Sequence, residues 1–173
     1  MRVQTNVQIS IDAPIEQVFD CSIDCENLPK FFTGYRGIPA IVSAITTDGL
    51  PLHEGSTRIV QNSDGSEIEE AIVSLQRPTL QAYKLLNGFK PPFSWLVRSA
   101  SGQWLYQPHS TGTQITWQFE FEMQNAIAYI VFLALIKHPF QTSQSICLTN
   151  LKQTIEHSNW RNHDDSPHFN PSK

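Results

Sequence analysis

Polar and apolar residues alternate with a period of two over residues 3–11. Val3, Val7, Ile9 and Ile11 share one parity, while Gln4, Asn6, Gln8 and Ser10 take the other. That alternation predicts a half-buried strand. Asp12-Ala13-Pro14 ends it. Pro14 suits the first position of a helix, with Asp12 or Ala13 as cap, and Ile15, Val18 and Phe19 form the inner face. Asp24 opens a second helical turn over 25–32, closed by Phe31 and Phe32, and Gly34, Gly37 and Pro39 mark a loop. A meander of strands follows over 40–47, 56–62, 67–77, 80–86, 95–107 and 113–123. Asp48-Gly49, Ser63-Asp64-Gly65-Ser66, Arg77-Pro78-Thr79 and residues 109–112 punctuate it. Residues 87–94 form a longer loop that Pro91 and Pro92 keep out of the ladder.

The pattern then changes period. Residues 126–136 are almost wholly apolar, and Phe140, Cys147, Leu148, Leu151 and Ile155 recur at helical spacing, with Gln141, Gln144, Lys152 and Glu156 elsewhere. The apolar run falls short of the roughly 20 residues that span a bilayer. Pro139 either opens a second helix or kinks one long helix. A helix so apolar needs a surface to lie on, and a curved antiparallel sheet is what the rest of the chain offers. Residues 158–173 are polar and carry two prolines, so they form a flexible tail behind a domain over 1–157.

The last hairpin fixes its own faces. With the turn at Ser110-Thr111, Tyr106 meets Ile115, Trp104 meets Trp117, Gly102 meets Phe119, Ala100 meets Phe121 and Arg98 meets Met123. One face is aromatic and the other polar. Gly102 and Ala100 opposite two phenylalanines leave either a filled core or room for a guest. Arg98 is then a guanidinium on a dry face, which requires a partner or water; a bulge at 99–102 turns it to solvent instead.

Composition adds modest bounds. The 173 residues suffice for one domain, and 40% hydrophobic with 16% charged residues is ordinary for a folded soluble chain. A net charge of −4 argues against nucleic acid or an anionic membrane as the main partner. The start has no signal-peptide core, so a cytoplasmic protein is expected. Cys21, Cys25 and Cys147 fit buried thiols rather than a metal site. His157, His163 and His168, with Asp164 and Asp165, crowd the tail and are expected to be solvated. No metal and no cofactor is expected, and monomer and homodimer both stay open.

Ile11-Asp12-Ala13-Pro14-Ile15-Glu16-Gln17-Val18-Phe19 with Asp24 and Glu26-Asn27-Leu28-Pro29 resembles the opening of the START-like polyketide cyclase/dehydrase superfamily. Gly55-Ser56-Thr57-Arg58-Ile59-Val60, Asp64-Gly65 with Glu69-Glu70, Arg77-Pro78 with Tyr83, and residues 112–117 follow in similar order. The resemblance implies an α+β helix-grip fold like that of the birch-pollen allergen. A curved sheet of about seven strands would wrap a long C-terminal helix, with two short helices after the first strand and a cavity between sheet and helix. It also implies a hydrophobic ligand such as a lipid, quinone or polyketide.

On that basis the pocket is lined by Tyr83, Trp95 or Leu96, Arg98, Trp104, Tyr106, Trp117, Phe119 and Phe121, with Phe31, Phe32, Phe132 and Leu133 at its mouth. The expected function is binding of such a ligand. An enzyme of the cyclase/dehydrase type is the alternative. In it Arg98 and Tyr106 would hold an oxyanion and His53 or Glu70 would act as base. Each has a plainer reading: His53 sits in a loop, Glu70 can be a solvated strand residue, and Tyr106 can present its hydroxyl at a strand end. A third possibility is an interaction or chaperone-assisting module that uses residues 126–136 as lid or partner surface.

Overall fold

A computed structural model describes the backbone of residues 1–164 and the side chains of residues 1–157. Seven strands form one antiparallel sheet: β1 Arg2–Ile11, β2 Ile41–Thr46, β3 Thr57–Asn62, β4 Glu67–Gln76, β5 Leu80–Asn87, β6 Val97–His109 and β7 Gly112–Met123. Their order is β1-β7-β6-β5-β4-β3-β2, so hairpins link every neighbour except β1 and β7, the first strand and the last. The crossing from β1 to β2 is made by α1 Ile15–Ile23 and α2 Leu28–Phe31. A helical turn, α3 Phe93–Leu96, precedes β6, and α4 Ala126–Leu135 and α5 Lys137–Asp164 follow β7. The α+β helix-grip architecture is therefore the one the sequence implies.

The alternation in β1 and β7 is physical. Val3, Val7 and Ile11 are buried, as is every second residue of β7 from Thr113 to Met123. Helix α5 lies along β1 with Phe140, Cys147, Leu148, Leu151 and Ile155 inward. Its polar side chains cap the open edge of that strand: Gln141 donates to the Asn6 carbonyl at 3.1 Å, Lys152 donates to the Ser10 carbonyl at 2.7 Å, and Glu156 accepts from the Asp12 N–H at 3.0 Å. An edge strand otherwise leaves such groups free to pair with another chain.

Several local expectations need correction. Pro14 stands in the cap position, one residue before the helix it was expected to open. Of the two roles open to Pro139 the first holds: α4 ends at Leu135, and Pro139 sits in the first turn of a separate α5, where its missing N–H costs nothing. Residues 95 and 96 are helical rather than strand, because Pro91 and Pro92 turn the chain just before them. Gln144, one turn after Phe140, falls on the buried stripe and is fully enclosed, not elsewhere on the helix. Cys147 is buried, but Cys21 and Cys25 are only partly so. Helix α5 runs on to Asp164, past the point where a tail was expected, and residues 165–173 lie outside the described residues.

Candidate functional site

The β3–β4 hairpin builds the site. Its turn holds Gly65 at φ 75°, a conformation that favours glycine, and the Asp64 carboxylate accepts from the Ser66 N–H at 2.9 Å. The resulting register pairs Val60 with Ile68 and Arg58 with Glu70. All four share one parity and face the interior. Arg58 Nε and Nη2 donate to the same Glu70 oxygen, Oε2, at 2.9 Å and 2.5 Å. The two side chains are only 4% and 11% exposed. A buried ion pair seldom stabilises a fold more than apolar residues of the same size would, so stability alone does not account for this one.

That pair forms part of the wall of a cavity of ≈ 360 Å³. Ligand pockets run from about 300 to 1,000 Å³, so a small organic molecule fits. The sheet side is Val60, Ile68, Leu85, Trp104, Trp117, Phe119 and Phe121. Leu28, Phe32, Phe89, Phe93 and Phe140 complete the apolar lining. The rim is residues 36–39, residues 90–92 and the α4–α5 junction at Leu135 and Ile136. Among the described side chains of α5 only Pro139 and Phe140 line it, so the cavity lies beside the long helix rather than along it. Gln81, itself buried, adds an amide to the wall.

Electrostatics keep the polar groups in defined states. Burial disfavours the Arg58 charge, but the adjoining Glu70 carboxylate, with smaller contributions from Cys25 and Tyr83, leaves the guanidinium above its ordinary value. Burial also pushes the Tyr83 phenol up, with Glu70 adding to the rise and Arg58 opposing it, so Tyr83 remains a hydrogen-bond donor. The Arg58 guanidinium sits 5.9 Å from the Tyr83 ring centroid. The Trp104 and Trp117 indoles near the Tyr83 hydroxyl also oppose its rise, yet Trp117 Nε1 closes no hydrogen bond.

Of the residues singled out in the sequence, Tyr83, Trp104, Trp117, Phe119, Phe121, Phe32 and Glu70 line this cavity. Tyr83 fills the space left by Gly102, where an added Cβ would stand 2.5 Å from its Cζ and Oη. Phe31 and Phe132 are buried outside the lining, and Phe132 packs 4.7 Å from Phe121 between ring centroids.

Arg98, Tyr106, His53, Leu133 and Trp95 do not line the cavity. Arg98 does not meet Met123, because Val97 does, and a bulge between Val97 and Ser99 turns Arg98 outward to Glu122 at 3.7 Å. Tyr106 is neither in the lining nor at the surface. Its hydroxyl lies 2.7 Å from Ser22 Oγ, and since the Ser22 proton goes to the Phe19 carbonyl, Tyr106 is the donor. His53 is an exposed loop residue beside Asp48, outside the lining. Leu133 and Trp95 are exposed, so neither walls the cavity. The sequence reading missed Arg58. The parity of Val60, Ile68 and Ile72 about the Asp64-Gly65 turn carries the signal that both Arg58 and Glu70 face inward.

Among the described residues no three His, Cys, Asp or Glu side chains gather as a metal would need, and no helix is long and apolar enough to cross a membrane. No curated protein sequence matches the chain. Solved structures share its fold. Ara h 8.0201 has a TM-score of 0.64 at 15% identity, covering 91% of this chain and 99% of that one. Ginseng major latex-like protein 151 from Panax ginseng gives 0.56 at 18% identity, covering 82% and 96%. The di-domain ARO/CYC BexL from the BE-7585A biosynthetic pathway gives 0.66 at 16% identity, covering 88% of this chain and 49% of its own. The family model described as polyketide cyclase / dehydrase and lipid transport matches residues 2–156, and the chain belongs to that family.

Proposed function

We propose that the cavity binds one hydrophobic small molecule of the lipid, quinone or polyketide-like kind, through its apolar body and one polar group. The polar group seats on Arg58, Glu70 and Gln81, which share the cavity wall. The observation that carries this reading is an ion pair buried in an otherwise largely apolar cavity. Both Arg58 bonds converge on Glu70 Oε2, which leaves Oε1 to accept from a guest hydroxyl and Arg58 Nη1 to donate to a guest carbonyl. The family's description, polyketide cyclase / dehydrase and lipid transport, supports the ligand class but not its identity.

Native mass spectrometry of protein purified without detergent tests the proposal. A retained small molecule is expected. Arg58→Met/Glu70→Leu should weaken its binding about 10- to 100-fold, the weight of one or two charge-assisted hydrogen bonds. Purely apolar fluorescent probes should still bind. A wild-type protein that retains nothing and takes up no probe overturns the reading.

The same pair favours a second reading, a cyclase/dehydrase-type enzyme. The guanidinium can polarise a carbonyl, and Glu70 stands within reach of an acidic proton. Turnover of a polyketide-like substrate that is lost in Arg58→Lys, with binding intact, selects this reading over simple carriage.

A further inference from the structure

Helix α4 has no polar residue except Tyr129, and only Ala128 and Phe132 are buried. Its outward residues are Ile127 at 75% exposure, Ile130 at 65%, Leu133 at 38% and Leu135 at 68%. Phe93 of α3 packs against Phe132, which brings Trp95, 70% exposed, to the same end of the molecule. An apolar helix with an exposed tryptophan beside it is more surface than a soluble monomer ordinarily leaves open. This face is continuous with the cavity, because Leu135 is both exposed and part of its rim.

Charge distinguishes the possible occupants. Although the chain is −4 overall, no Asp or Glu occurs between Glu70 and Glu120, nor between Glu122 and Glu156. Those two stretches contain α3 and α4, and they supply Lys90 and Arg98 on either side of α3 and Lys137 directly after α4. The nearby carboxylates are Glu122, beside Arg98, and Asp64, which feels Lys90. With Arg98 and Lys90 so matched, Lys137 is the cation left without a carboxylate partner among the described residues, and a second copy of the same face brings no further carboxylate to meet it. A surface that is apolar within and anionic at its boundary matches instead.

We propose that the α3–α4 face docks on a phospholipid bilayer bearing anionic head groups, with α4 lying in the interface and the cavity rim against the lipid. The overall negative charge does not oppose this, since attraction at contact is decided within a Debye length of the surface. The docking extends the proposed function: a hydrophobic guest passes between bilayer and cavity without crossing water. It rests on that reading for its purpose but not for its detection.

Flotation with vesicles made of equal parts phosphatidylcholine and phosphatidylglycerol tests it. Wild-type protein should bind, less so as salt rises, and bind phosphatidylcholine vesicles more weakly. Ile127→Asp/Ile130→Asp should weaken binding about 100-fold and Trp95→Ala about tenfold. Val42→Asp, on the far edge strand β2 and also exposed, should change nothing. Absent binding, equal binding to both vesicles, equal loss in Val42→Asp, or a wild-type dimer that Ile130→Asp dissociates each overturns the proposal. Uptake of a soluble fluorescent probe by the same proteins separates the two readings. A probe that binds where vesicles do not sinks the docking alone, and vesicles that bind where the probe does not sink the cavity reading alone.

Discussion

The two halves of the sheet share one concave face and are finished differently. Next to β1 the face is packed against α4 and α5: Phe119 and Phe121 meet Phe140 at 4.9 and 4.8 Å between ring centroids, and Phe121 meets Phe132 at 4.7 Å. Over β3, β4 and β5 it carries Arg58, Glu70 and Gln81, and the cavity they wall reaches across to Trp104, Trp117, Phe119 and Phe121 of β6 and β7. Widths explain the difference. Strands stand about 4.8 Å apart, so seven make a sheet roughly 29 Å wide, whereas a helix with its side chains is about 10–12 Å across. One long helix covers the half next to β1, and the other half is left to the single turn of α2 and to loops. A short element with loops closes a space without filling it, and there the fold can keep a guest and a buried charge pair.

The largest test of this contrast strikes the pair. Arg58→Ala or Glu70→Ala alone leaves one buried charge uncompensated and should cost about 3–5 kcal/mol in chemical denaturation. Replacing both, as Arg58→Met/Glu70→Leu, should restore wild-type stability to within about 1 kcal/mol or exceed it. Should the double variant be as unstable as the singles, the pair would be a structural staple, and the two halves would differ in chemistry but not in purpose.

A second comparison adds bulk on either side. Ala100 faces Phe121 in the filled half, so Ala100→Leu should overpack it and cost about 1–3 kcal/mol. Ile68 lines the cavity, so Ile68→Phe should cost less than about 1 kcal/mol while displacing ligand. Thermal melts read the first effect and probe titration the second. Equal cost at both positions would mean that the space over β3–β5 is not available to a guest.

The same division governed what could be read in the chain. The filled half was legible because β6 and β7 alternate independently and agree: the pairing of Trp104 with Trp117 and Gly102 with Phe119 follows from residue types about one turn. Register reasoning left Arg98 open between Met123 and a bulge that turns it to solvent, and the bulge lies between Val97 and Ser99 rather than at 99–102, since nothing in Arg98 or Ser99 announces the extra residue. The open half was harder. Arg58 on a buried face looks from sequence like an exposed strand residue, and only the hairpin parity that pairs Val60 with Ile68 turns it inward. Elements shorter than two turns, such as α3, gave no periodic signal, because a period of 3.6 cannot be counted over four residues.

The smallest test asks whether the filled half is as complete as its rings suggest. Gln144 is fully buried on α5, and neither its Nε2 nor its Oε1 has a protein partner. The Thr5 hydroxyl of β1, the strand along which α5 lies, is buried and unpartnered too. An unsatisfied buried amide costs about 1–3 kcal/mol, and methionine has nearly the same volume and shape. Gln144→Met should therefore raise stability by about 1–2 kcal/mol, read from the denaturation midpoint at unchanged slope. Loss of stability would show that Gln144 holds something the packed side needs, and the contrast between a packed and a receptive side of the sheet would no longer hold.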